Sequence, residues 1–255
     1  MILWIGLIMI MITIMLLVGM CSWTWYHPES VLIPLNLLYQ LDPSPRTNIY
    51  SEEESSRIFP TGIELESQWH CILEEGYALY ERLPNKNMNY LDNYHMNIGN
   101  EDKQNWTTIP LRLFGRDSLD HMNHCPITAH ILQSHPEIKS CLFSIMAPGK
   151  IIHPHVGPYD GMLRYQLALD IPEPANSNEE CYLHVNGQRY EWIPGKGVLF
   201  DEAHLHGAVN TTSKQRMVLL IDIERPYWCI PYRWLNTGII WGMGALPATK
   251  QATLI

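Results

Sequence analysis

The 255-residue sequence predicts a mainly β fold with flanking helices, a sandwich or barrel, set behind one N-terminal transmembrane helix. Three observations predict it. Short apolar runs alternate with turn signals through the second half of the chain, one stretch with helical periodicity precedes them, and Met1 to Met20 carries no charge.

From the N-terminus, MILWIGLIMIMITIMLLVGM is long enough to cross the ~30 Å hydrocarbon core of a bilayer as a helix. Trp23, Trp25 and Tyr26 follow where an interfacial aromatic belt would sit. A cleaved signal peptide would have a basic start and a shorter apolar run, and Met20 is a poor residue to precede a lipidated Cys21. An uncleaved anchor over residues 1–22 is therefore the preferred reading, of a single-pass membrane protein. No Lys or Arg occurs before Arg46, so charge bias leaves its orientation open.

Residues 23–58 include LDPSPRT and SEEESS, show no sustained period, and read as a stalk. Glu64 to Leu83 places Leu65, Trp69, Ile72, Leu73 and Leu79 near helical spacing and is stopped by Pro84, which predicts one helix. The Asn-rich stretch 85–105 reads as loop. Strands are expected at 109–114, 141–146, 163–171, 182–185, 188–193, 197–201 and 216–223. Asn186-Gly187 between two of them suits a type I′ hairpin turn, since both residues tolerate positive φ. The folded domain is bounded at 59–230, leaving 231–255 as a C-terminal tail.

A net charge of −9 and a pI near 5.7, with no basic patch, argue against a nucleic-acid partner. The six cysteines include no C-x-x-C pair, which leaves free core thiols or one or two disulfides and no thiol-ligated zinc motif. Sequons at Asn105 and Asn210 are compatible with a lumenal, endoplasmic-reticulum-like location.

Alternation along the strands sorts the chemistry. Arg164 and Gln166 share a face opposite Leu163, Tyr165, Leu167 and Leu169. Arg216 leads a face with Val218 and Leu220, so it either reaches solvent at the strand end or faces an enclosed interior. In the interior a guanidinium needs an anion. His153 and His155 lie on one face if extended, as do His204 and His206, and neutral imidazoles at strand ends are ligands for Fe(II), Zn or Cu(II). His121, His124, Cys125 and His130 lack a standard metal spacing and read as loop residues. In a 2-His-1-carboxylate site an acid follows two residues after the first histidine; that position is Gly157. Either the metal has two protein ligands, or Asp160 or Asp201 completes the set, or the site is of another kind.

From about Phe59 to Pro226 the chain resembles the aspartyl/asparaginyl β-hydroxylase family of Fe(II)/2-oxoglutarate oxygenases. The resemblance rests on SIMAPG, PHVGP, LRYQLALDIP, WIPGKGVLFDEAHLHGAVN and RMVLLIDIERP, in that order. It implies a double-stranded β-helix, jelly-roll or cupin-like. It also implies His155 and His206 as catalytic iron ligands, with glycine accepted at 157. Arg216 and Ser144 are implied partners of the distal 2-oxoglutarate carboxylate, Arg164 lies near the cosubstrate and substrate carboxylates, and Gln166 stands where the family has histidine. The implied reaction uses O₂ and 2-oxoglutarate to hydroxylate Asp or Asn side chains of a protein, releasing succinate and CO₂. Lipid acyl chains are the alternative substrate, as in some bacterial members. Met162 replaces a family arginine, and the stretch 111–114, where a family tryptophan is expected, offers Arg112 instead. The competing readings are a non-catalytic metal-binding barrel and a cupin-like Zn or Mn site using all four histidines.

Overall fold

In the computed structural model, which describes residues 37–84, 105–157 and 159–254, ten strands form two antiparallel sheets. In chain order they are β1 (Trp106–Leu113), β2 (Arg116–Asp117), β3 (Ile138–Met146), β4 (Lys150–His155), β5 (Met162–Asp170), β6 (Cys181–Val185), β7 (Gln188–Glu191), β8 (Gly197–Phe200), β9 (His206–Asn210) and β10 (Arg216–Glu224). The six-stranded sheet runs β2-β1-β3-β10-β5-β8 and the four-stranded sheet β4-β9-β6-β7. From β3 onward the chain crosses repeatedly between the sheets, and this order is that of a double-stranded β-helix, or jelly roll.

The helices are α1 (Leu37–Leu41), α2 (Glu52–Ile58), α3 (Thr61–Ser67), α4 (Trp69–Arg82), α5 (Leu119–Asn123), α6 (Pro126–Ser134), α7 (Ile230–Ala245) and α8 (Pro247–Ala252). Leu65 of α3, Ile72 and Leu79 of α4, and Ile131 and Leu132 of α6 pack on the outer face of the large sheet. That face presents Leu163, Tyr165, Leu167 and Leu169 from β5, and Met217, Leu219, Ile221 and Ile223 from β10. Period-two alternation thus divides each strand between a dry layer under the helices and an interior between the sheets.

Four expectations change. The single helix over 64–83 is two, broken at Gln68, whose N–H bonds back to Glu64 and Leu65 carbonyls. From Leu37 the expected stalk is ordered chain docked on the large sheet: Tyr50 donates its N–H to Leu199, Asp201 donates to the Asn48 carbonyl, and Ile49 bridges Phe200. This segment covers the open edge of β8, a protection that sheet edges require. Within SEEESS, Ser51 and Glu54 form a reciprocal capping box that starts α2. The expected tail contains α7 and α8, and Ile239, Ile240 and Met243 of α7 pack on Phe114, Leu142 and Leu220. Fourth, the residues read as a histidine-rich loop, 121–130, lie mostly on α5 and α6.

The hairpin turn holds φ of 48° at Asn186 and 79° at Gly187, as type I′ geometry demands. Among the described residues no helix is long and apolar enough to cross a membrane. The anchor expected over residues 1–22 and the greater part of the loop at 85–105 lie outside the described residues.

Cys71, Cys125, Cys141, Cys181 and Cys229 are all free thiols, and of these Cys125, Cys141 and Cys181 are buried. Burial pushes the Cys125 thiol up to about 12 and raises Cys141 further. In the folded protein, Cys71 and Cys229 will react with a thiol reagent well before these three, which react on unfolding in urea. Mass spectrometry of labelled peptides checks the order.

Candidate active site

Between the sheets lies a cavity of about 730 Å³, its open mouth included. Inward-facing alternate residues line it: Ser140, Leu142 and Ser144 from β3, Arg164 and Gln166 from β5, and Arg216, Leu220 and Asp222 from β10. The small sheet contributes Ile152 and His155 from β4 and His206 and Ala208 from β9.

His155 and His206 are directly opposite each other across the β4–β9 pairing, with ring centroids 4.4 Å apart. A one-residue bulge between Ile152 and His155 produces this. Without it, alternation from inward Ile152 would aim Pro154 into the cavity; with it, His155 turns inward and His153 stays exposed. Pro154 is tolerated because β4 is the sheet edge. His153 and His155 therefore do not share a face.

The backbone sets the tautomer of both rings. His155 Nδ1–H donates to the His153 carbonyl at 2.8 Å and His206 Nδ1–H to the His204 carbonyl at 2.9 Å, so each Nε2 carries a bare lone pair. His206 Nε2 is buried and has no hydrogen-bond partner among the described residues. Burial pushes His155 down to about 4, and lowers His206 well below its ordinary value with the help of the His155 charge. Both are neutral imidazoles, the form that ligates metals.

On the large sheet, Arg216 is 2% exposed. Its Nε and Nη1 have no hydrogen-bond partner among the described residues, and the guanidinium carbon lies 5.3 Å from the centre of the Trp192 ring. Burial lowers its pKa to about 10, which leaves it cationic at neutral pH. Ser144 pairs with Val218, so Arg216 is its diagonal neighbour on the inward face. Trp106 Nε1–H donates to Ser144 Oγ at 2.9 Å, which leaves the hydroxyl proton free to point into the cavity. Gln166 also lines the wall, its Oε1 buried without a partner among the described residues.

Arg164 differs from Arg216. Its Nε and Nη2 bond to Asp222 at 2.7 and 3.2 Å, and Nη2 lies 2.6 Å from Glu202 Oε2. The guanidinium expected beside substrate carboxylates is thus held by two carboxylates of the chain itself. Arg112 is likewise committed, to Asp117 and to the Leu132 and Ile138 carbonyls, and the cavity tryptophan is Trp106, upstream of 111–114.

Glu202 is the residue that sequence reasoning missed. It is fully buried, and its carbonyl accepts the Gly157 N–H at 2.8 Å. A Cβ added at Gly157 would lie 2.6 Å from the Glu202 carboxyl carbon. The space an acid at position 157 would need is therefore filled by an acid from the next turn of chain. Burial pushes the Glu202 carboxyl up, against the pull of Arg164 and with the repulsion of Asp222. Of the two acids considered as a third ligand, Asp201 is engaged by Arg225 at 2.5 and 2.9 Å, and neither it nor Asp160 lines the cavity. Among the described residues no cluster of three or more His, Cys, Asp or Glu is placed to hold a metal ion. Two imidazoles are what the site offers.

The sequence profile described as Aspartyl/Asparaginyl beta-hydroxylase matches residues 66–226. The chain belongs to this β-hydroxylase family. It is 38% identical over 135 residues to the ornithine lipid ester-linked acyl 2-hydroxylase of Rhizobium tropici, covering 53% of this chain and 47% of that protein. It is 28% identical over 167 residues to the human aspartyl/asparaginyl beta-hydroxylase, covering 64% of this chain and 21% of that one. The chain thus spans less than half the length of these curated relatives. A solved oxidoreductase of the 2OG-Fe(II) oxygenase family from Burkholderia pseudomallei aligns at 17% identity over 61% of this chain and 78% of that chain, with a TM-score of 0.41.

Gly157→Asp will crowd a second carboxyl group against Glu202 in a buried site and cost about 3 kcal/mol or more. Adding Glu202→Ala will recover much of that loss. Urea unfolding of the two single variants and the double variant measures the coupling, and additive losses would show that the two positions do not share this volume.

Proposed function

We propose that the protein is an Fe(II)- and 2-oxoglutarate-dependent hydroxylase. The observation that carries the reading is Arg216, a buried guanidinium with no carboxylate partner among the described residues, in a cavity whose opposite sheet presents two bare Nε2 atoms. The residues present fit such a pair of groups: neutral imidazoles suit Fe(II), and the guanidinium suits the far carboxylate of a short dicarboxylate. Bound together, iron and 2-oxoglutarate supply O₂-dependent insertion of oxygen into a C–H bond, with release of succinate and CO₂.

The chain does the rest. His155 and His206 would hold the metal, their rings fixed by the His153 and His204 carbonyls. Arg216 would take the distal carboxylate, assisted by the Ser144 hydroxyl, and so orient the cosubstrate in the cavity. Leu113, Phe114, Leu142, Leu183 and Leu220 make the remaining wall apolar and exclude water from the reacting centre.

That wall also bears on the substrate. Arg164 is occupied by Asp222 and Glu202, and position 162 is a buried Met, so neither offers a cation to a substrate carboxylate. A hydrocarbon chain, such as the acyl chain of a lipid, suits this lining better than an Asp side chain does. The second reading, β-hydroxylation of Asp or Asn in a protein, draws support from the human relative's name.

Succinate formation from 2-oxoglutarate tests the activity. His155→Ala or His206→Ala will lower it by at least ~100-fold. Product mass with an acyl-amino-acid lipid and with an Asp-containing peptide decides the substrate; a gain of one oxygen on the peptide alone would overturn the lipid assignment. Turnover that survives both histidine substitutions would overturn the metal site.

A further inference from the structure

Helix α7 (Ile230–Ala245) carries apolar residues on its buried side and on much of its exposed side, where Arg233 and Thr237 are the charged and hydroxyl groups. Its inner side, Asn236, Ile239, Ile240 and Met243, is buried. At 100° per residue its outer side gathers Ile230, Trp234, Leu235, Gly238, Trp241 and Gly242. Trp234 is 75% exposed and Trp241 77%. Among the side chains of this stripe, only the two indoles can form a hydrogen bond. A helix facing water carries polar groups on that side; this one carries a tryptophan ridge with Trp228 at one end and Leu254 beyond the other, both exposed.

We propose that the outer face of α7 is a docking surface for a phospholipid bilayer. Tryptophan is the residue that settles at the boundary between headgroups and acyl chains, its ring apolar and its N–H wet. The charge around it agrees. After Glu224 the sequence contains no further acid, although the chain as a whole carries −9. Of the cations in that stretch, Arg225 is spent on Asp201, while Arg233 and Lys250 are exposed. Lys250 shares a groove with Arg116 and Trp241, so positive charge lies beside the ridge, as an anionic leaflet favours.

A second copy of the chain is a poorer occupant. One helix face of this length has a footprint of roughly 24 by 10 Å, well below the ~800 Å² per partner of a stable dimer.

The inference does not rest on the hydroxylase reading, and its test reads lipid contact rather than turnover. The full chain is reconstituted in vesicles of phosphatidylcholine and phosphatidylglycerol containing phospholipids brominated near the headgroup, and tryptophan quenching is followed. Trp234→Ser with Trp241→Ser will remove up to two of the nine indoles from the quenched population. Lys250→Glu, or replacing phosphatidylglycerol by phosphatidylcholine, will weaken quenching of the same two. Both substitutions lie on the surface, and circular dichroism will report an unchanged fold. Equal quenching in wild type and the double serine variant overturns the proposal. So does a double variant whose oligomeric mass falls while its lipid quenching stays the same, which would assign the face to a second copy.

Discussion

The site is organised by a buried positive charge, Arg216, that has no carboxylate against it among the described residues. Removing a guanidinium from water without pairing it costs several kcal/mol, and a chain selected for stability alone would place a leucine there. Arg216 is held in place because its strand is the most heavily supported in the molecule. β10 lies between β3 and β5, pairs along most of its length with both, and drives Met217, Leu219, Ile221 and Ile223 into the core under the helices. The dry side of the strand stabilises it, and the cost is carried on the cavity side. On the proposed reading, a dicarboxylate entering the cavity would recover that cost on binding.

Arg164 makes the contrast instructive. It lies one strand away, also buried and on the same inward face, yet Asp222 bonds its Nε and Nη2 and Glu202 Oε2 lies 2.6 Å from it. Two guanidinia in one cavity are thereby given different tasks. Arg164 organises the wall and ties β5 to β10 and to the turn before β9, while Arg216 is available to a ligand. Glu202 serves this arrangement twice, by its place 2.6 Å from Arg164 and by filling the space beside Gly157, so an acid at position 157 is excluded sterically as well as absent from the sequence.

Most of the large sheet was legible in the sequence, because its strands are long and alternate cleanly; Arg164 and Gln166 share the face expected of them, and Arg216, left open between solvent and interior, faces the interior. The two strands that carry the histidines were not legible. β4 contains Pro154 and a bulge, and β9 is five residues with a glycine and an asparagine, so neither shows a period. Both histidines were found by chemistry and resemblance, and the bulge that separates His153 from His155 has no signature that alternation could reveal. The docked chain at 37–58 was missed because its contact is a sheet-edge pairing by Asn48 and Tyr50 and the aromatic Tyr39, which leaves no apolar pattern. Glu202 was hidden for the same reason: its role depends on a glycine 45 residues earlier, and a single acid beside a turn looks like any other.

The most direct measurement is an anaerobic titration of the iron-loaded protein with 2-oxoglutarate, followed by the visible absorption of the metal chelate. The wild-type protein will saturate, and Arg216→Gln will need ~30-fold or more 2-oxoglutarate to reach the same band, the loss expected for a buried charge-assisted carboxylate contact. An Arg216→Gln variant that titrates with the wild-type midpoint would contradict the claim that this guanidinium is kept for the cosubstrate.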